Sequence, residues 1–600
     1  MRSRASRAAA TASAKTVAAR FPAHGFWPSP PRSAAPLARR RRKRAPATEA
    51  MHATPKPVPQ TPRQDGEAGE PHNGLDRALH AAWGRVGGGM SPAALMLAWS
   101  DWAVHFATQP GHAAEVALRG AAPRAEPLAH DPRLSAPDWA AWPFSLYRDA
   151  FEAVGRGLLD LVHGVRGVDR HHEQLVAFTV RQWLDMASPA NALATHPQVL
   201  QRTAATGGAN LLAGAAHWVE DFGRQAAGLP PAGAEAFRPG HAPATPTVHA
   251  EPVLVVSAWI MKYYVLDLSP HNSLVRYLVE RGHTVFAISW KNPGAADAQL
   301  GMADYLRLGI RASLDAIDAV LPRRRVHAVG YCLGGTLMAI AAAAMARDRD
   351  DRLASLTLLA AQTDFTEPGE IGLFIDESQL AFLEDIMSRQ GYLDSAQMAG
   401  AFQALRAGDL VWGPMVQNYL MGERIPMTDL MAWNADGTRM PCRMHADYLR
   451  KLFLDNALAE GRYLVDGRPV SLNDIDVPVF LLGTRTDHVA PWRSVYKFSL
   501  LCDADLTFVL TEGGHNAGIL SEPGHAHRSH RVLRRPANGS YIAPDDFLRR
   551  SREVDGSWWP GFAQWLAVRS GPRRRPPAMG APRRGLPPLC DAPGTYVLGR

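Results

Sequence analysis

The chain has 600 residues, 46% of them hydrophobic, which is enough for two or more structural units with a large core. Its formal charge of +8 comes from the first 50 residues, which hold twelve Lys and Arg against Glu49, so the other 550 residues sum to about −3. A nucleic-acid-binding function would therefore depend on the N-terminal segment alone. Four cysteines without CxxC spacing argue against a disulfide framework or a zinc site and for a reducing cytoplasm. No apolar run approaches the roughly 18–20 residues that span a bilayer.

Residues 1–75 are predicted to be disordered, because Pro, Gly, Ala and charges alternate there without any period. The basic block at 39–44 is compatible with contacts to phosphates or to a membrane surface, but a disordered extension accounts for it more simply. The segment is also rich in Arg and Ser and poor in acids, as transit peptides are. Translation from Met51 is a further alternative, and mass spectrometry of the natural N-terminus would distinguish these hypotheses.

Residues 90–228 are predicted to form a helical N-terminal domain. Apolar residues recur there at three- and four-residue spacing, most clearly in 144–162, 174–186 and 209–222. A linker rich in Pro, Ala and Gly follows at 229–250.

From 251 to 565 the pattern predicts an α/β domain. Short β-rich runs alternate with helix-length segments, which indicates a mostly parallel sheet with helices on both faces. The predicted strands are 253–257, 284–290, 326–331, 355–360, 477–483 and 506–511. The interval between the fourth and fifth strands is too long for one crossover, so its helical patterns at about 365–470 are predicted to form an inserted cap. An Arg/Pro-rich tail is expected at 566–600.

The most informative motif is Gly-Tyr-Cys-Leu-Gly-Gly at 330–335, between an apolar β-branched run and an Ala-rich helical pattern. This spacing is typical of the nucleophile elbow, a sharp strand-to-helix turn that exposes one side chain above a parallel sheet. The flanking glycines are expected because the turn leaves no room for a Cβ. A lone Cys after an apolar strand is more often a small core residue. The elbow spacing instead makes Cys332 a candidate nucleophile.

Two further residues complete a catalytic constellation in the order nucleophile, acid, histidine. Asp487 directly follows the predicted strand 477–483, and His515 lies in the glycine-rich loop after the strand 506–511. Taken singly, Asp487 could be a helix cap and His515 a turn residue. Their joint occurrence at the expected positions favours a Cys–His–Asp triad. His488 is the alternative base, but it adjoins the acid and is better placed as a supporting group.

The residue types indicate nucleophilic catalysis. His515 is expected to accept the Cys332 proton while Asp487 fixes the tautomer of the imidazole. The backbone N–H of Leu333, at the start of the elbow helix, is placed to stabilise an oxyanion. A second N–H is expected from the loop after the first strand, near Trp259 or Ile260.

The sulfur nucleophile favours acyl transfer over hydrolysis. A thiol that attacks a thioester exchanges one thioester for another, so the step is nearly thermoneutral and the enzyme-bound acyl group stays activated. That group can then pass to an alcohol, which forms a more stable oxygen ester. A serine would lose this activation at the first step.

These motifs resemble the polyhydroxyalkanoate synthases, a family within the α/β-hydrolase superfamily. The elbow is similar to that family's lipase-like box with Cys in place of Ser. The other motifs that carry the resemblance stand at 262–268, 282–286, 289–293, 409–412, 418–420, 433–436, 487–492 and 556–560, and weakly at 592–597. The likeness covers about residues 130–565.

The resemblance implies polymerisation of (R)-3-hydroxyacyl-CoA with release of CoA, with Cys332 carrying the chain and His515 activating the thiol. Asp487 would also help to activate the incoming 3-hydroxyl. A single long chain with its own N-terminal domain is most similar to class I, which implies short monomers such as 3-hydroxybutyryl-CoA. The family also implies a homodimer on cytoplasmic polyester granules. It implies no metal and no bound cofactor, the CoA thioester being the substrate.

The chain departs from the family pattern in two loops that border the predicted site. Residues 257–261 read Ser-Ala-Trp-Ile-Met where the family has a Pro-Pro pair before the Ile and an Asn after it. Asn516 replaces an aliphatic residue, and Ser-Glu-Pro at 521–523 replaces Asn-Pro-Pro. Two alternatives therefore stay open: a polyester or lipid hydrolase on the same fold, which the Cys argues against, and a non-catalytic granule-binding homologue, which only the altered 257–261 loop favours.

Overall fold

The computed structural model describes residues 73–86, 89–121, 131–237 and 245–598. The disorder expected for 1–75 lies outside the described residues, except that the first helix already begins at Asn73. Helical structure thus starts before the expected residue 90. The helix forms there because it packs on a later part of the chain: a Cβ added at Gly84 would stand 2.4 Å from Ile386 Cδ1.

The α-helices of the described residues are numbered in chain order. They are α1 Asn73–Val86, α2 Pro92–Ala107, α3 Pro110–Ala121, α4 Phe144–Val162, α5 Arg170–Ala187, α6 Pro197–Ala205, α7 Ala209–Ala226, α8 Leu274–Glu280, α9 Met302–Asp304, α10 Ala312–Val320, α11 Leu333–Asp348, α12 Glu377–Gln390, α13 Ser395–Leu405, α14 Gly413–Met415, α15 Asp429–Asn434, α16 Cys442–Tyr448, α17 Trp492–Tyr496, α18 Phe498–Leu501, α19 Pro544–Arg550 and α20 Trp559–Ala567. Segments of π-helix are Tyr305–Arg311, Gly408–Trp412, Val416–Leu420 and Leu449–Leu454. Short 3-10 helices are Pro132–Leu134, Pro137–Ala140, Pro189–Asn191, Ala234–Ala236, Tyr263–Leu266, Ala295–Asp297, Glu370–Phe374, Leu472–Asp474, Pro582–Arg584 and Tyr596–Leu598. Along the described ranges, none of the helices is both long enough and apolar enough to cross a membrane.

The strands are likewise numbered in chain order. They are β1 Val253–Val256, β2 Val285–Ala287, β3 Val326–Tyr331, β4 Leu353–Leu359, β5 Tyr392–Leu393, β6 Met440–Pro441, β7 Leu464–Val465, β8 Arg468–Pro469, β9 Val479–Thr484, β10 Leu506–Thr511, β11 Ser529–Arg535 and β12 Arg552–Asp555. Eight of them form one sheet in the order β12-β11-β10-β9-β4-β3-β1-β2. The pairings from β2 to β10 are parallel, and β11 and β12 are antiparallel additions at one edge.

The predicted fold class, an α/β-hydrolase arrangement with a mostly parallel sheet, is confirmed. Every residue of β1, β3, β9 and β10 is buried, which is the mark of strands covered on both faces. Two predicted strands coincide with β3 and β10, while the run 284–290 shortens to the three residues of β2. The sequence pattern did not predict β11 and β12, because their residues are largely charged and only partly buried.

The segment between β4 and β9 includes residues 365–470, the region predicted as an inserted cap and called the cap below. It contains α12 to α16, three of the π-helical segments and the two small antiparallel ribbons β5/β6 and β7/β8. The cap segment therefore leaves the sheet after β4, which is the direct neighbour of β3, and returns to it at β9.

The helical N-terminal region packs on the cap. The Gln379 side chain in α12 accepts a hydrogen bond from the Ser91 N–H and donates one to the Gly89 carbonyl, both at 2.7 Å. On the other side of this interface, Asn210 in α7 donates to the Leu420 carbonyl at 2.7 Å. Backbone contact there is close, since a Cβ at Gly214 would lie 1.9 Å from the Tyr419 carbonyl oxygen. Both ends of the N-terminal region are thus joined to the cap.

Candidate active site

Cys332 stands at the turn between β3 and α11. Its backbone has φ +53° and ψ −126°, outside the regions that non-glycine residues ordinarily occupy. Such a conformation costs about 1–3 kcal/mol and persists only where the surroundings impose it. The Cys332 N–H donates to the Leu359 carbonyl at 3.0 Å, and the Cys332 carbonyl accepts from Gly335 N–H at 2.8 Å. The turn therefore presents the thiol at the carboxyl end of the sheet.

The glycines of the elbow are required by close backbone approaches. A Cβ at Gly330 would lie 2.4 Å from Gly335 Cα, so strand and helix meet without side chains between them. A Cβ at Gly334 would lie 2.2 Å from the Val256 carbonyl oxygen and 2.7 Å from that of Ser257. The first turn of α11 thus rests directly on the end of β1, and the loop that follows β1 borders the elbow.

Asp487 follows β9 and is held by four hydrogen bonds. One carboxylate oxygen accepts from the Val489 and Ala490 N–H groups at 2.9 and 2.8 Å, and the other accepts from Thr484 Oγ1 and His515 Nδ1, both at 2.8 Å. Burial opposes ionisation of this carboxyl, but the charge and hydrogen bond of His515 outweigh it, so the pKa of Asp487 lies below its usual range. Asp487 is therefore an ionised partner for the histidine.

His515 lies in the loop after β10, with its side chain only 11% exposed. Burial opposes protonation, but the charges of Asp487 and Cys332 outweigh it and hold the pKa of His515 well above its usual value. Nδ1 is bonded to Asp487, whereas the buried Nε2 has no hydrogen-bond partner among the described residues. The charge of Cys332 is nevertheless among the causes that raise the pKa of His515, so the thiol lies beside the imidazole. The structure brings Cys332, His515 and Asp487 together in one cluster.

Tyr331 and Asn516 join the strand of the cysteine to the loop of the histidine. The Tyr331 hydroxyl donates a hydrogen bond to Asn516 Oδ1. The Tyr331 ring lies 5.6 Å from the His515 ring, centroid to centroid. Sequence analysis noted Asn516 only as a departure from the family pattern. It did not predict this bond, because the pairing depends on the register between β3 and a loop nearly 200 residues away.

The candidate oxyanion donors lie on the two sides of the elbow. Leu333 is the first residue of α11, so its N–H belongs to the unpaired first turn of the helix. Ile260 lies in the loop after β1, and its carbonyl accepts a hydrogen bond from the Thr438 N–H at 2.9 Å. The structure thus places the Ile260 loop between the elbow and the cap.

His488 supports the site through its backbone. The four hydrogen bonds of Asp487 come from other residues, and the His488 carbonyl accepts from the Glu370 N–H at 3.1 Å. Burial lowers the pKa of His488 below its usual value. The hydrogen bond between His488 and Glu370 therefore joins the loop that carries Asp487 to the start of the cap.

Tyr448, at the end of α16, is a site residue that sequence analysis missed. Burial, and next the charge of Cys332, raise the pKa of Tyr448 well above its usual value. Its ring contacts Phe453 edge-on at 5.2 Å between centroids, and Phe365 lies 4.6 Å from Phe453. The cap thus supplies an aromatic wall beside the thiol. The abundance of Tyr, Trp and Met in 365–470 was the available signal, but it could not identify which of them faces Cys332.

Comparison with known proteins gives a consistent result. Family models described as "Poly-beta-hydroxybutyrate polymerase (PhaC) N-terminus", "Poly-beta-hydroxybutyrate polymerase N terminal" and "alpha/beta hydrolase fold" match residues 130–242, 70–112 and 251–522. The chain is 38% identical to a poly(3-hydroxyalkanoate) polymerase of Methylorubrum extorquens, over 79% of this chain and 82% of that protein. It is 36% identical to a polymerase subunit of Rhizobium etli, over 78% of this chain and 77% of the relative, and 34% identical to one of Cupriavidus necator, over 78% and 83%.

Proposed function

Because the chain belongs to the poly(3-hydroxyalkanoate) polymerases, which are acyltransferases on an α/β-hydrolase fold, we propose that it extends the polymer through an acyl group bound to Cys332. The observation that carries the proposal is the cluster of Cys332, His515 and Asp487 at the ends of β3, β10 and β9. The substrate is a (R)-3-hydroxyacyl-CoA thioester, and CoA is the product released with each addition.

In the acylation step, His515 takes the thiol proton and the Cys332 sulfur attacks the thioester carbonyl. The new carbon–sulfur bond forms as the bond to CoA breaks, and the imidazolium returns its proton to the departing CoA sulfur. The raised pKa of His515 favours this imidazolium, and the ionised Asp487 stabilises it. The N–H groups of Leu333 and Ile260 stabilise the oxyanion.

In the transfer step, the 3-hydroxyl oxygen of an incoming 3-hydroxyacyl-CoA attacks the acyl group on Cys332. The hydroxyl proton passes to His515, with Asp487 assisting, while the ester bond forms and the carbon–sulfur bond to Cys332 breaks. Cys332 leaves as a thiolate beside the His515 imidazolium, and the lengthened chain, which now ends in the CoA thioester, acylates Cys332 again with release of CoA. The sulfur keeps the acyl group activated between the two steps, so ester formation proceeds downhill. The reaction uses residues of the chain alone, with the CoA thioester as substrate and no bound cofactor or metal.

The monomer is a short-chain acyl group such as 3-hydroxybutyryl. Tyr448 lies near Cys332, its ring contacts Phe453, and Phe453 contacts Phe365; bulky aromatic side chains near the thiol favour a small acyl group. The resemblance to class I synthases supports the same assignment.

The protein acts as a homodimer on polyester granules in the cytoplasm. Support comes from α7, whose outer face exposes Leu212, Val219, and the stacked pair Trp218 and Phe222. An exposed apolar helix face suits contact with an apolar partner such as the polymer surface.

The purified full chain given (R)-3-hydroxybutyryl-CoA tests the proposal. We expect CoA release, measured by liquid chromatography, together with insoluble polyester identified after methanolysis. Release of CoA with free 3-hydroxybutyrate and no polymer would instead assign a hydrolase. Release of neither product would assign a non-catalytic homologue.

Replacement of the nucleophile is the sharpest mutational test. Cys332→Ala should lower CoA release by at least roughly 1,000-fold, because no other group can carry the acyl chain. Cys502→Ala is the matched control: Cys502 is buried in the domain, 1% exposed, and its removal should leave turnover unchanged. Turnover retained in Cys332→Ala would contradict the acyl-enzyme mechanism.

A further inference from the structure

The loop after β1, residues 257–262, is held by a segment of the cap, residues 433–438. The Thr438 N–H donates to the Ile260 carbonyl at 2.9 Å, and the Lys262 N–H donates to the Asp436 carbonyl at 3.3 Å, so the two segments form a short antiparallel pairing. The Trp433 indole N–H adds a third bond, to the Lys262 carbonyl at 2.9 Å. The position of this loop therefore depends on the cap.

The Lys262 side chain joins this pairing to the C-terminal end of the described chain. Its ammonium group lies 3.1 Å from Asp436 Oδ1 and donates to the Val597 carbonyl at 2.7 Å, and the side chain is 8% exposed. The Tyr264 hydroxyl donates to the other Asp436 oxygen at 2.6 Å. A buried ammonium is stable only where acceptors replace water, and here a carboxylate and a backbone carbonyl do so.

Residues 592–598, which we name the C-terminal strap, also contact the loop after β2. The Tyr596 phenol lies near the backbone of Asn292. The Asn292 side chain in turn accepts from the Arg439 N–H at 2.9 Å. Val597 is 4% exposed, so the strap is anchored by an apolar side chain as well as by hydrogen bonds. The strap thus meets both loops and the cap at one junction.

A displacement of this junction would also displace the elbow, because the 257–262 loop contacts both. The Ser257 carbonyl, at the start of the loop, accepts from the Trp290 indole N–H at 2.9 Å and faces Gly334, where no Cβ fits. Ile260, the proposed oxyanion donor, lies only two residues before Lys262. The path of contacts that leads from the strap, through the 257–262 loop, to the nucleophile is therefore short.

We propose that the C-terminal strap and Lys262 are positioning elements that hold the 257–262 loop, and with it the Ile260 N–H, in the orientation that stabilises the oxyanion. Neither touches the reacting atoms. This inference rests on the proposed function for its catalytic consequence, whereas the holding of the loop is a structural claim of its own.

The test compares two apolar-to-acidic changes in the same tail. Val597→Asp places a charge in the buried anchor, whereas Leu589→Asp changes a side chain that is 92% exposed and serves as the control. With the full-length protein and (R)-3-hydroxybutyryl-CoA, we expect Val597→Asp to lower kcat about tenfold with little change in KM. Hydrogen exchange of 257–262 and 433–438 should become faster. Leu589→Asp should match the wild type in all three readouts.

A second variant addresses the junction from its other side. Lys262→Met should reproduce the kcat loss, Lys262→Arg should restore most of it, and the double variant Lys262→Met/Val597→Asp should be no slower than either single variant. Additive losses would overturn the shared junction. Unchanged exchange and unchanged kcat in Val597→Asp would overturn the strap.

The two proposals fail in different ways. A wild-type protein that forms no polymer contradicts the proposed function, but the exchange comparison of Val597→Asp with Leu589→Asp still decides whether the strap holds the loop. A wild type that polymerises, with equal exchange and kcat in both variants, contradicts the strap alone.

Discussion

At the scale of single residues, the site depends on neighbours of the catalytic candidates. Tyr331 precedes Cys332 and Asn516 follows His515, and one hydrogen bond joins the two neighbours. That bond fixes the approach of the β3 end to the histidine loop, while the ring contact limits rotation of the imidazole. The pair thus holds His515 in position next to Cys332 before substrate binds, which raises the effective concentration of the imidazole at the thiol.

We therefore expect Asn516→Leu to slow CoA release about tenfold, because the histidine loop loses its tie to β3. Tyr331→Phe should have a similar effect, and the two changes together should cost no more than one, which rapid-quench measurement of the acylation step would establish. Tyr541→Phe is the control, since Tyr541 is 42% exposed. Fully additive losses would show that the two side chains act separately.

The identity of the three clustered residues could be predicted from the sequence, because each directly follows a β-rich run and their order is that of the fold. Tyr448 and Asn516 could not. Tyr448 comes near Cys332 from the cap, and Asn516 bonds to Tyr331 across the end of the sheet. Local patterns give the element that carries a side chain, but they do not give the distance between two elements far apart in the chain.

At the scale of elements, the turn between β3 and α11 is shaped by close packing of backbone on backbone. Helix α11 is buried along most of its length and starts within van der Waals contact of the end of β1. A helix can approach a strand this closely only when its first turn has no side chains in the contact. The glycines therefore set the distance between nucleophile and sheet.

Gly334→Ala should destabilise the fold by several kcal/mol or yield insoluble protein, because its Cβ would stand 2.2 Å from the Val256 carbonyl oxygen. Gly157→Ala is the matched control in helix α4, where a Cβ meets nothing within 4 Å. That change should be neutral or stabilise by up to about 1 kcal/mol through helix propensity. Urea unfolding followed by circular dichroism would measure both, and equal midpoints would contradict the packing argument.

Strands covered on both faces were predictable, whereas the two antiparallel strands β11 and β12 were not. Strands β3 and β10 coincide with their predicted ranges because continuous apolar runs mark them. By contrast, β11 carries Arg531 and Arg534, whose charges pair with Glu553 and Asp505 on neighbouring segments. Such a strand is stabilised by partners distant in sequence, so the hydrophobic pattern of its own residues does not predict it.

At the scale of the whole molecule, a buried histidine cluster lies at the amino ends of β1, β2 and β3, opposite the carboxyl ends that carry the site. His327 lies near the start of β3. Its two ring nitrogens form hydrogen bonds with the Ser355 and Ser570 hydroxyls at 2.7 and 3.0 Å. His283 stacks on His249 at 4.7 Å between ring centroids. Burial lowers the pKa of both His283 and His327 to about 3.

The stability of the molecule should consequently fall as the pH is lowered. Folded pKa values of about 3 lie below the unfolded value of about 6.5, so between these limits the unfolded chain binds more protons. Each histidine contributes up to about 1.4 kcal/mol per pH unit to this loss, which begins near pH 6.5.

His283→Leu isolates one of these groups. Among the described residues neither ring nitrogen of His283 has a hydrogen-bond partner, so the change breaks no such bond. Urea unfolding between pH 7.5 and 5 should show a shallower decline in the free energy of unfolding for this variant. His271→Leu, at a side chain 74% exposed, should leave the decline unchanged. Equal slopes for wild type and His283→Leu would contradict the assignment.

The separation of the site residues along the chain has a consequence for synthesis. Cys332 leaves the ribosome 183 residues before His515. At about 5–20 residues per second, the thiol exists for roughly 10–40 s without its base. Strands β9 and β10, which bear the acid and the histidine loops, are made only near the end of that interval. A nascent chain is consequently protected from premature acylation by the order of its own translation.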